Sequence, residues 1–216
     1  MIKAVLFDLD GTLLNRDASV RRFIDLQYDR FEHLLDSITK KEYIERFLQL
    51  DNRGYVWKDK VYQQMIKEFE IIGISWEELL QDYISEFKYS CIPFPHLIEM
   101  LEELKTRNIA IGMITNGRGQ FQMDNIQALG IEKYFDSILV SEWEGMKKPN
   151  PNIFLKALQD LEVNPEESLF IGDHPENDVI AATAVGMKGV WKKDKHWKHA
   201  TTEYTIDDLL EILHFL

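Results

Sequence analysis

Cysteine is almost absent from this sequence. Cys91 is the only one among 216 residues, so no disulfide can form within the chain. We therefore expect a reducing compartment and a packing role for Cys91. No apolar run approaches the roughly 20 residues that a membrane-spanning helix needs. The stretch from Ile2 to Phe7 also does not have the charged-then-apolar pattern of a secretory signal. These absences predict a soluble, cytoplasmic protein without a membrane partner.

Positive charge is scarce as well. The chain has 25 Lys and Arg against 37 Asp and Glu, a formal net charge of -12, and no block of basic residues. A protein that holds a nucleic-acid backbone needs clustered cations, so we expect no nucleic-acid partner. A small anionic substrate remains compatible, because a metal ion and one or two local cations can reverse the potential inside a pocket.

Short apolar segments alternate with helical segments in most of the chain. Residues 2–8, IKAVLFD, read as a buried strand that delivers Asp8 and Asp10 to a loop. Beyond Pro93 and Pro95 the pattern predicts further strands at 109–114, 137–141, 168–172 and 188–191, and helices at 96–107, 119–129, 151–161, 176–185 and 205–213. Thr205 would cap the last helix. This alternation predicts an α/β fold, a doubly wound parallel sheet with helices on both faces.

The block from about 18 to 90 has a different pattern. Aromatic and apolar residues recur there at helical spacing, with breaks at 52–54 and 72–74. We predict an inserted all-helical domain over 16–91 and an α/β core domain formed by 1–15 and 92–216.

Polar residues that can carry chemistry follow the predicted strands. Asp8 and Asp10 end the first strand, and two nearby carboxylates can divide the work of nucleophile and of acid and base. Thr115 and Asn116 end another strand, where a hydroxyl and backbone N–H groups can bind phosphoryl oxygens. Asp173 ends a third. In such sheets ligands bind beyond the carboxyl ends of the strands, so these residues are expected to share a site.

Four segments, in this order along the chain, resemble the motifs of the haloacid dehalogenase superfamily, most of whose members are phosphatases. They are residues 8–13 (DLDGTL), 111–117 (IGMITNG), 145–151 (GMKKPNP) and 171–178 (IGDHPEND). The resemblance implies a Rossmann-like core in which Asp8 attacks phosphorus and becomes an aspartyl phosphate. It implies that Asp10 protonates the leaving oxygen and then activates water, and that Lys148, directly before the proline, neutralises the crowded charge.

The resemblance also implies ligands for substrate and metal. Mg²⁺ would be held by Asp8, Asp173, Asp178 and the backbone carbonyl of Asp10, since hard cations prefer oxygen. Asp178 is predicted to act directly, through water, or by orienting Lys148; an ordinary acid in the first turn of a helix is the alternative. The predicted substrate-binding residues are Thr12, Thr115, Asn116, Gly117 and Arg118. Arg118 could equally be a solvated residue at a helix start, and His174 is expected to face solvent.

In the superfamily, an insertion in the position of 16–91 forms a helical cap over the site. Candidate specificity residues there are Arg16, Arg21, Arg22, Trp57 and Lys58. For each of these residues, a solvated or packed role is favoured over substrate contact.

We predict a magnesium-dependent hydrolase of a small phosphorylated metabolite. The segment 115–117 followed by Gln122, and the segment 148–154, look like the nucleotidase and phosphoglycolate-phosphatase branches. Nucleotide, sugar-phosphate and phosphoglycolate substrates all stay open. The alternatives are a phosphomutase, a phospho-acceptor signalling domain and a silent binding protein. A dehalogenase would have no use for Asp10. The sequence predicts no particular oligomeric state.

Overall fold

The computed structural model describes residues 1–35, 38–198 and 202–216. The chain divides into two compact units, one formed by Met1–Asn15 with Pro93–Leu216 and the other by Arg16–Ile92. The predicted boundary differs from this division by one residue, at Ile92. Among the described residues, no helix is both long and apolar enough to cross a bilayer.

The first unit is built on a six-stranded parallel sheet of order β3-β2-β1-β4-β5-β6. The strands are β1 (Ala4–Phe7), β2 (Ala110–Thr115), β3 (Ser137–Val140), β4 (Ser168–Gly172), β5 (Lys188–Lys192) and β6 (Thr205–Ile206). Strands β1 and β4 are fully buried, as expected for sheets covered on both faces. The predicted α/β class is confirmed.

Helices flank this sheet between its strands. They are α5 (Leu97–Thr106), α6 (Gly119–Ala128), α7 (Ser141–Glu144), α8 (Pro151–Asp160) and α9 (Ala181–Ala184). The buried face of α8 packs on the sheet, where the rings of Phe154 and Phe170 meet edge to face at 5.0 Å between centroids. Gly130 follows α6 with a φ of 69°, the left-handed conformation that glycine adopts readily at the end of a helix.

The end of the chain differs from the prediction of one helix over 205–213. Thr205 and Ile206 pair with β5 instead, and a 3₁₀-helix spans Leu209–Phe215. Two β-branched residues in sequence favour the extended conformation of an edge strand. The helical cap is then Asp208, whose side chain accepts a hydrogen bond from the Leu210 N–H, and not Thr205. The predicted helix 176–185 likewise begins as a π-helical segment, Pro175–Ile180, before α9.

The second unit is helical, as predicted. Its helices are α1 (Arg16–Phe31), α2 (Lys40–Asp51), α3 (Lys58–Phe69) and α4 (Trp76–Glu86). Thr39 and Ser75 form capping boxes that begin α2 and α4. A buried amide, Gln27, accepts hydrogen bonds from the hydroxyls of Tyr43 and Tyr62 at the centre of this unit.

Two of the candidate specificity residues form ion pairs within this unit. Arg16 lies 2.9 Å from the buried Asp51, and Lys58 pairs with the same carboxylate. Burial opposes ionisation of Asp51, but attraction to Arg16 and Lys58 outweighs it and lowers the pKa of this group. Arg21, Arg22 and Trp57 are exposed.

Candidate active site

The predicted catalytic residues collect at the carboxyl ends of neighbouring strands. Strand β1 lies between β2 and β4, so the residues that follow Phe7, Thr115 and Gly172 share one edge of the sheet. Asp8 donates its backbone N–H to the Ile171 carbonyl, which continues the β1–β4 ladder to the nucleophile candidate itself. The sheet therefore fixes the position of Asp8 through its main chain.

A buried ion-pair network joins three of the predicted residues. The Nζ atom of Lys148 lies 2.6 Å from Asp8 Oδ1 and 2.7 Å from Asp178 Oδ1. The three side chains are all buried. The second oxygen of Asp178 accepts a hydrogen bond from the His174 N–H at 3.0 Å. Asp178 thus lies against Lys148, and an orienting role at this lysine was one of its predicted alternatives.

The electrostatics of this network set the charge of the nucleophile candidate. Burial raises the pKa of Asp8 from 3.8 to about 6, against the attraction of Lys148, which lowers it. Burial alone would lower the pKa of Lys148, but attraction to Asp178 and Asp8 outweighs it and raises that pKa above its usual value. At neutral pH both partners are therefore charged, and Asp8 is mostly ionised.

Three carboxylates of this edge are placed as a metal site requires. Asp8, Asp173 and Asp178 each offer one oxygen, and these oxygens lie within 4.8 Å of one another. A donor set made only of oxygen suits Mg²⁺, which needs few protein ligands and keeps several waters. Gly11 makes the close approach possible: it has a φ of +87°, and a Cβ there would lie 2.5 Å from Asp173 Oδ2. The residues present therefore fit a magnesium ion.

The side chain of Asp10 points to a different partner. Its Oδ2 atom accepts a hydrogen bond from Gln122 Nε2 at 2.8 Å, and its carboxylate does not belong to the three-carboxylate cluster. The predicted contribution of Asp10 to the metal was its backbone carbonyl, and the predicted role of its carboxylate was proton transfer.

The predicted substrate-binding residues fall into two groups. Thr115 is buried at the end of β2, and Arg118 is exposed at the start of α6. Thr12 and Asn116 instead hold catalytic candidates. The Thr12 hydroxyl donates a hydrogen bond to Asp8 Oδ2 at 3.3 Å. The Asn116 amide donates to the Lys148 carbonyl and accepts from the Lys148 N–H, both at 2.9 Å, which fixes the backbone that carries this lysine.

Gly117 was predicted to bind substrate. Its N–H already donates to the hydroxyl of Ser141 at 2.9 Å. The absence of a side chain matters instead, because a Cβ at Gly117 would lie 2.8 Å from Cγ of Gln122. Gly117 therefore makes room for Gln122.

His174 also differs from the solvent-facing residue that was expected. It is half-buried, its Nδ1 accepts the backbone N–H groups of Glu176 and Asn177 at 3.2 Å, and its ring lies 4.5 Å from that of Trp197. Burial lowers the pKa of His174, and an accepting Nδ1 requires the unprotonated ring. The residue is thus a helix cap, a role normally given to Ser, Thr, Asp or Asn.

Sequence reasoning missed two further residues at this edge. Gln122 was noted only as part of a resemblance, and its spacing of five residues from Gly117 was the available signal. Lys192 ends β5 and is buried; its Nζ donates to the Gly11 carbonyl at 3.3 Å and lies 3.3 Å from the centre of the Phe94 ring. Burial lowers the pKa of Lys192, opposed chiefly by Asp173. A lysine at the end of a predicted strand is not distinctive in sequence, so Lys192 was not predicted as a residue of the site.

Comparison with known proteins identifies relatives of this chain in both sequence and structure. The family described as haloacid dehalogenase-like hydrolase matches residues 5–192. A glyceraldehyde 3-phosphate phosphatase from Pyrococcus furiosus is 29% identical over 216 residues, covering 94% of this chain and 85% of that protein. A crystal structure of a HAD phosphatase from Thermococcus onnurineus has a TM-score of 0.69 and 29% identity, covering 99% of this chain and 97% of the other.

The fold is shared more widely. The Bacillus subtilis protein YfnB, solved bound to magnesium, has a TM-score of 0.79 at 20% identity, covering 100% of this chain and 98% of the other. The match to the family covers most of the chain, and its motif residues meet at one edge of the sheet. The chain therefore belongs to the haloacid dehalogenase-like hydrolase family.

Proposed function

We propose that this chain, a phosphatase of the haloacid dehalogenase-like family, hydrolyses a small phosphomonoester through an aspartyl phosphate on Asp8, with Mg²⁺ as cofactor. One observation carries the proposal: Lys148 Nζ lies 2.6 Å from Asp8 Oδ1, with Asp173 and Asp178 close by. A buried cation at this distance favours the ionised nucleophile and offsets the negative charge of an incoming phosphoryl group.

In the first step an oxygen of Asp8 forms a bond to phosphorus, and the bond from phosphorus to the ester oxygen breaks. Asp10 gives its proton to that oxygen, so the product leaves as a neutral alcohol. In the second step Asp10 takes a proton from water, whose oxygen attacks phosphorus. The acyl–phosphate bond breaks, which releases phosphate and restores the Asp8 carboxylate.

The residues around Asp8 have distinct tasks in this scheme. Lys148 neutralises charge as it builds on the phosphoryl group, and Asn116 and Asp178 hold Lys148. Asp8, Asp173 and, directly or through Lys148, Asp178 would hold Mg²⁺, which when bound supplies further charge neutralisation at phosphorus. The Thr115 hydroxyl would bind a phosphoryl oxygen.

The proposed reaction defines a class of substrate and does not single out one compound. Asp10 suits leaving groups that need a proton, such as the alcohol oxygens of sugar phosphates, nucleotides and phosphoglycolate. The Pyrococcus furiosus relative is named for glyceraldehyde 3-phosphate, which belongs to the same class of small phosphomonoesters. We propose that the helical unit, Arg16–Ile92, selects among such compounds.

The test is phosphate release over a panel of phosphomonoesters with Mg²⁺. We expect turnover of at least one ester, loss of turnover with EDTA and recovery when Mg²⁺ is restored. Asp8→Asn should lower kcat at least about 10³-fold, because an amide cannot form the acyl phosphate. Asp160→Asn, which changes an exposed aspartate of the same unit bonded to Ser137, is the matched control and should keep activity.

Near-normal activity of Asp8→Asn would refute the mechanism. Turnover that is indifferent to EDTA would remove the metal. Isomerised product without release of inorganic phosphate would identify a phosphomutase instead.

A further inference from the structure

Gln122 connects two residues that the proposed mechanism uses separately. It lies in the first turn of α6 and is only 2% exposed. Its Nε2 atom lies 2.8 Å from Asp10 Oδ2 and 2.7 Å from Thr115 Oγ1. We propose that Gln122 is a positioning residue, which fixes the acid–base carboxylate of Asp10 and the phosphate-binding hydroxyl of Thr115 in one arrangement. This inference rests on the proposed function.

The chemistry of the amide determines which way Gln122 faces. A carboxylate accepts hydrogen bonds, so the atom against Asp10 must be the donor, Nε2. The carbonyl Oε1 of Gln122 in turn lies 3.4 Å from Asn125 Nδ2, a donor on the next turn of the same helix. The two N–H bonds of Nε2 match its two close acceptors, Asp10 and Thr115. A glutamate in this place would have no proton to give to either.

The bond to Thr115 assigns a direction to that hydroxyl. Because Thr115 Oγ1 accepts from Gln122, its own proton can be donated elsewhere, and a phosphoryl oxygen is the acceptor that the mechanism provides. The bond to Asp10 holds the carboxylate that must reach the ester oxygen and later the water. This charge-assisted hydrogen bond is part-buried, and such bonds are among the stronger ones, so the orientation it imposes is well defined.

The position of Gln122 is supported by its neighbour Gly117. A Cβ on Gly117 would lie 2.8 Å from Cγ and 2.9 Å from Cδ of Gln122. Side chains on a helix lean toward its N-terminus, so the glutamine in the first turn of α6 points back over Gly117 to the strand ends. Gly117 therefore leaves the space in which Gln122 can reach Asp10 and Thr115, although neither Gly117 nor Gln122 is predicted to take part in the bond changes.

The experiment compares Gln122→Met, which keeps the length and loses the donor, with Gln127→Met, an exposed residue of the same helix. A second variant, Gln122→Glu, keeps the shape and tests the donor if the methionine variant does not fold. Two substrates are used: p-nitrophenyl phosphate, whose leaving group needs little protonation, and an alkyl phosphate turned over by the wild type. Thermal unfolding is recorded for every variant.

We expect Gln122→Met and Gln122→Glu to lower kcat/KM for the alkyl ester about 10- to 100-fold. The loss with p-nitrophenyl phosphate should be clearly smaller, since only the Thr115 contact then counts. Gln127→Met should match the wild type. In an Asp10→Ala background, Gln122→Met should cost no more with the alkyl ester than it does with p-nitrophenyl phosphate, because only the Thr115 contact is then left to position.

Equal losses for both esters, or full additivity with Asp10→Ala, would refute the role at Asp10. Unchanged kcat/KM in both Gln122 variants would refute the proposal as a whole. In each of these cases the wild-type phosphatase reaction stands. Failure of the wild type to release phosphate from any ester would instead refute the proposed function, and the role of Gln122 with it.

Discussion

Replacing Asp8 by asparagine should stabilise the metal-free fold while it removes turnover. Asp8 has a pKa of about 6 in the folded protein against 3.8 for the free group. A raised carboxyl pKa means that the folded state binds the proton more tightly than the unfolded chain. Stability is therefore lost as the pH rises from about 4 to about 6, and stays lost above that. The pKa difference corresponds to about 3 kcal/mol.

Asparagine resembles the protonated carboxyl in shape and carries no charge. At about pH 4 the variant and the wild type should be similarly stable, because Asp8 is largely protonated in the folded state. At pH 8 the variant should gain up to about 3 kcal/mol in the free energy of unfolding. Lys148 would keep its ion pair with Asp178, so no buried cation is left alone.

The assay is urea unfolding in EDTA at several pH values between 4 and 8. The quantity to compare is the difference in the free energy of unfolding between variant and wild type at each pH. Taking this difference cancels the titration of the groups that the two proteins share. Asp160→Asn, run in parallel, reports what the loss of one charge does to a chain of net charge -12. A variant that is less stable than the wild type at pH 8, or a difference that does not change with pH, would refute the reasoning.

Other charged groups give predictions of different sign. Lys148→Met should abolish turnover and cost about 3–5 kcal/mol in urea unfolding, because two buried carboxylates lose their cation; unchanged stability would contradict the ion-pair network. Lys192→Met keeps the packing on Phe94 but loses the bond to Gly11, so we expect a loss of about 1 kcal/mol in the free energy of unfolding. We also expect slower phosphate release, and kinetics equal to those of the wild type would contradict a role of Lys192 in the reaction. Asp51→Asn should destabilise the chain at neutral pH by about 1–3 kcal/mol. Because the pKa of Asp51 is lowered, that cost should disappear as the pH falls below about 4, as followed by circular dichroism.

The strands could be predicted because apolar runs buried on both faces are distinctive in sequence. The predicted segment 168–172 coincides with β4, and 109–114 is displaced from β2 by one residue. The acidic residues of the site could be anticipated for a topological reason, since parallel strands place their carboxyl ends at one edge. Thr205 and Ile206 were assigned to a helix because the apolar spacing that follows them is helical, while their pairing with β5 depends on a strand distant in sequence.

The residues that support the site were harder to predict because their roles arise only in three dimensions. Lys192 is separated by 181 residues from its acceptor on Gly11, and Asn116 by 32 from Lys148. A sequence records the type of such a residue and not its partner. His174 was expected to face solvent, because the sequence does not show which groups surround it. In the structure its Nδ1 atom accepts hydrogen bonds from backbone N–H groups and caps a helix that begins with Pro175.

The segment from Thr115 to Gln122 shows how these supporting contacts are organised. Sequence reasoning assigned Asn116 and Gly117 to the substrate, but both contact the protein: Asn116 holds Lys148, and Gly117 bonds to Ser141. Gln122, which was assigned no role, holds Asp10. Asp8 and Asp173 already crowd negative charge at the adjacent strand ends. Uncharged amides fix the groups around this charge: Asn116 holds the backbone of Lys148, and Gln122 holds the carboxylate of Asp10. Gln122 also donates to the Thr115 hydroxyl, which keeps its own proton to donate, and a phosphoryl oxygen is the acceptor that the proposed function provides.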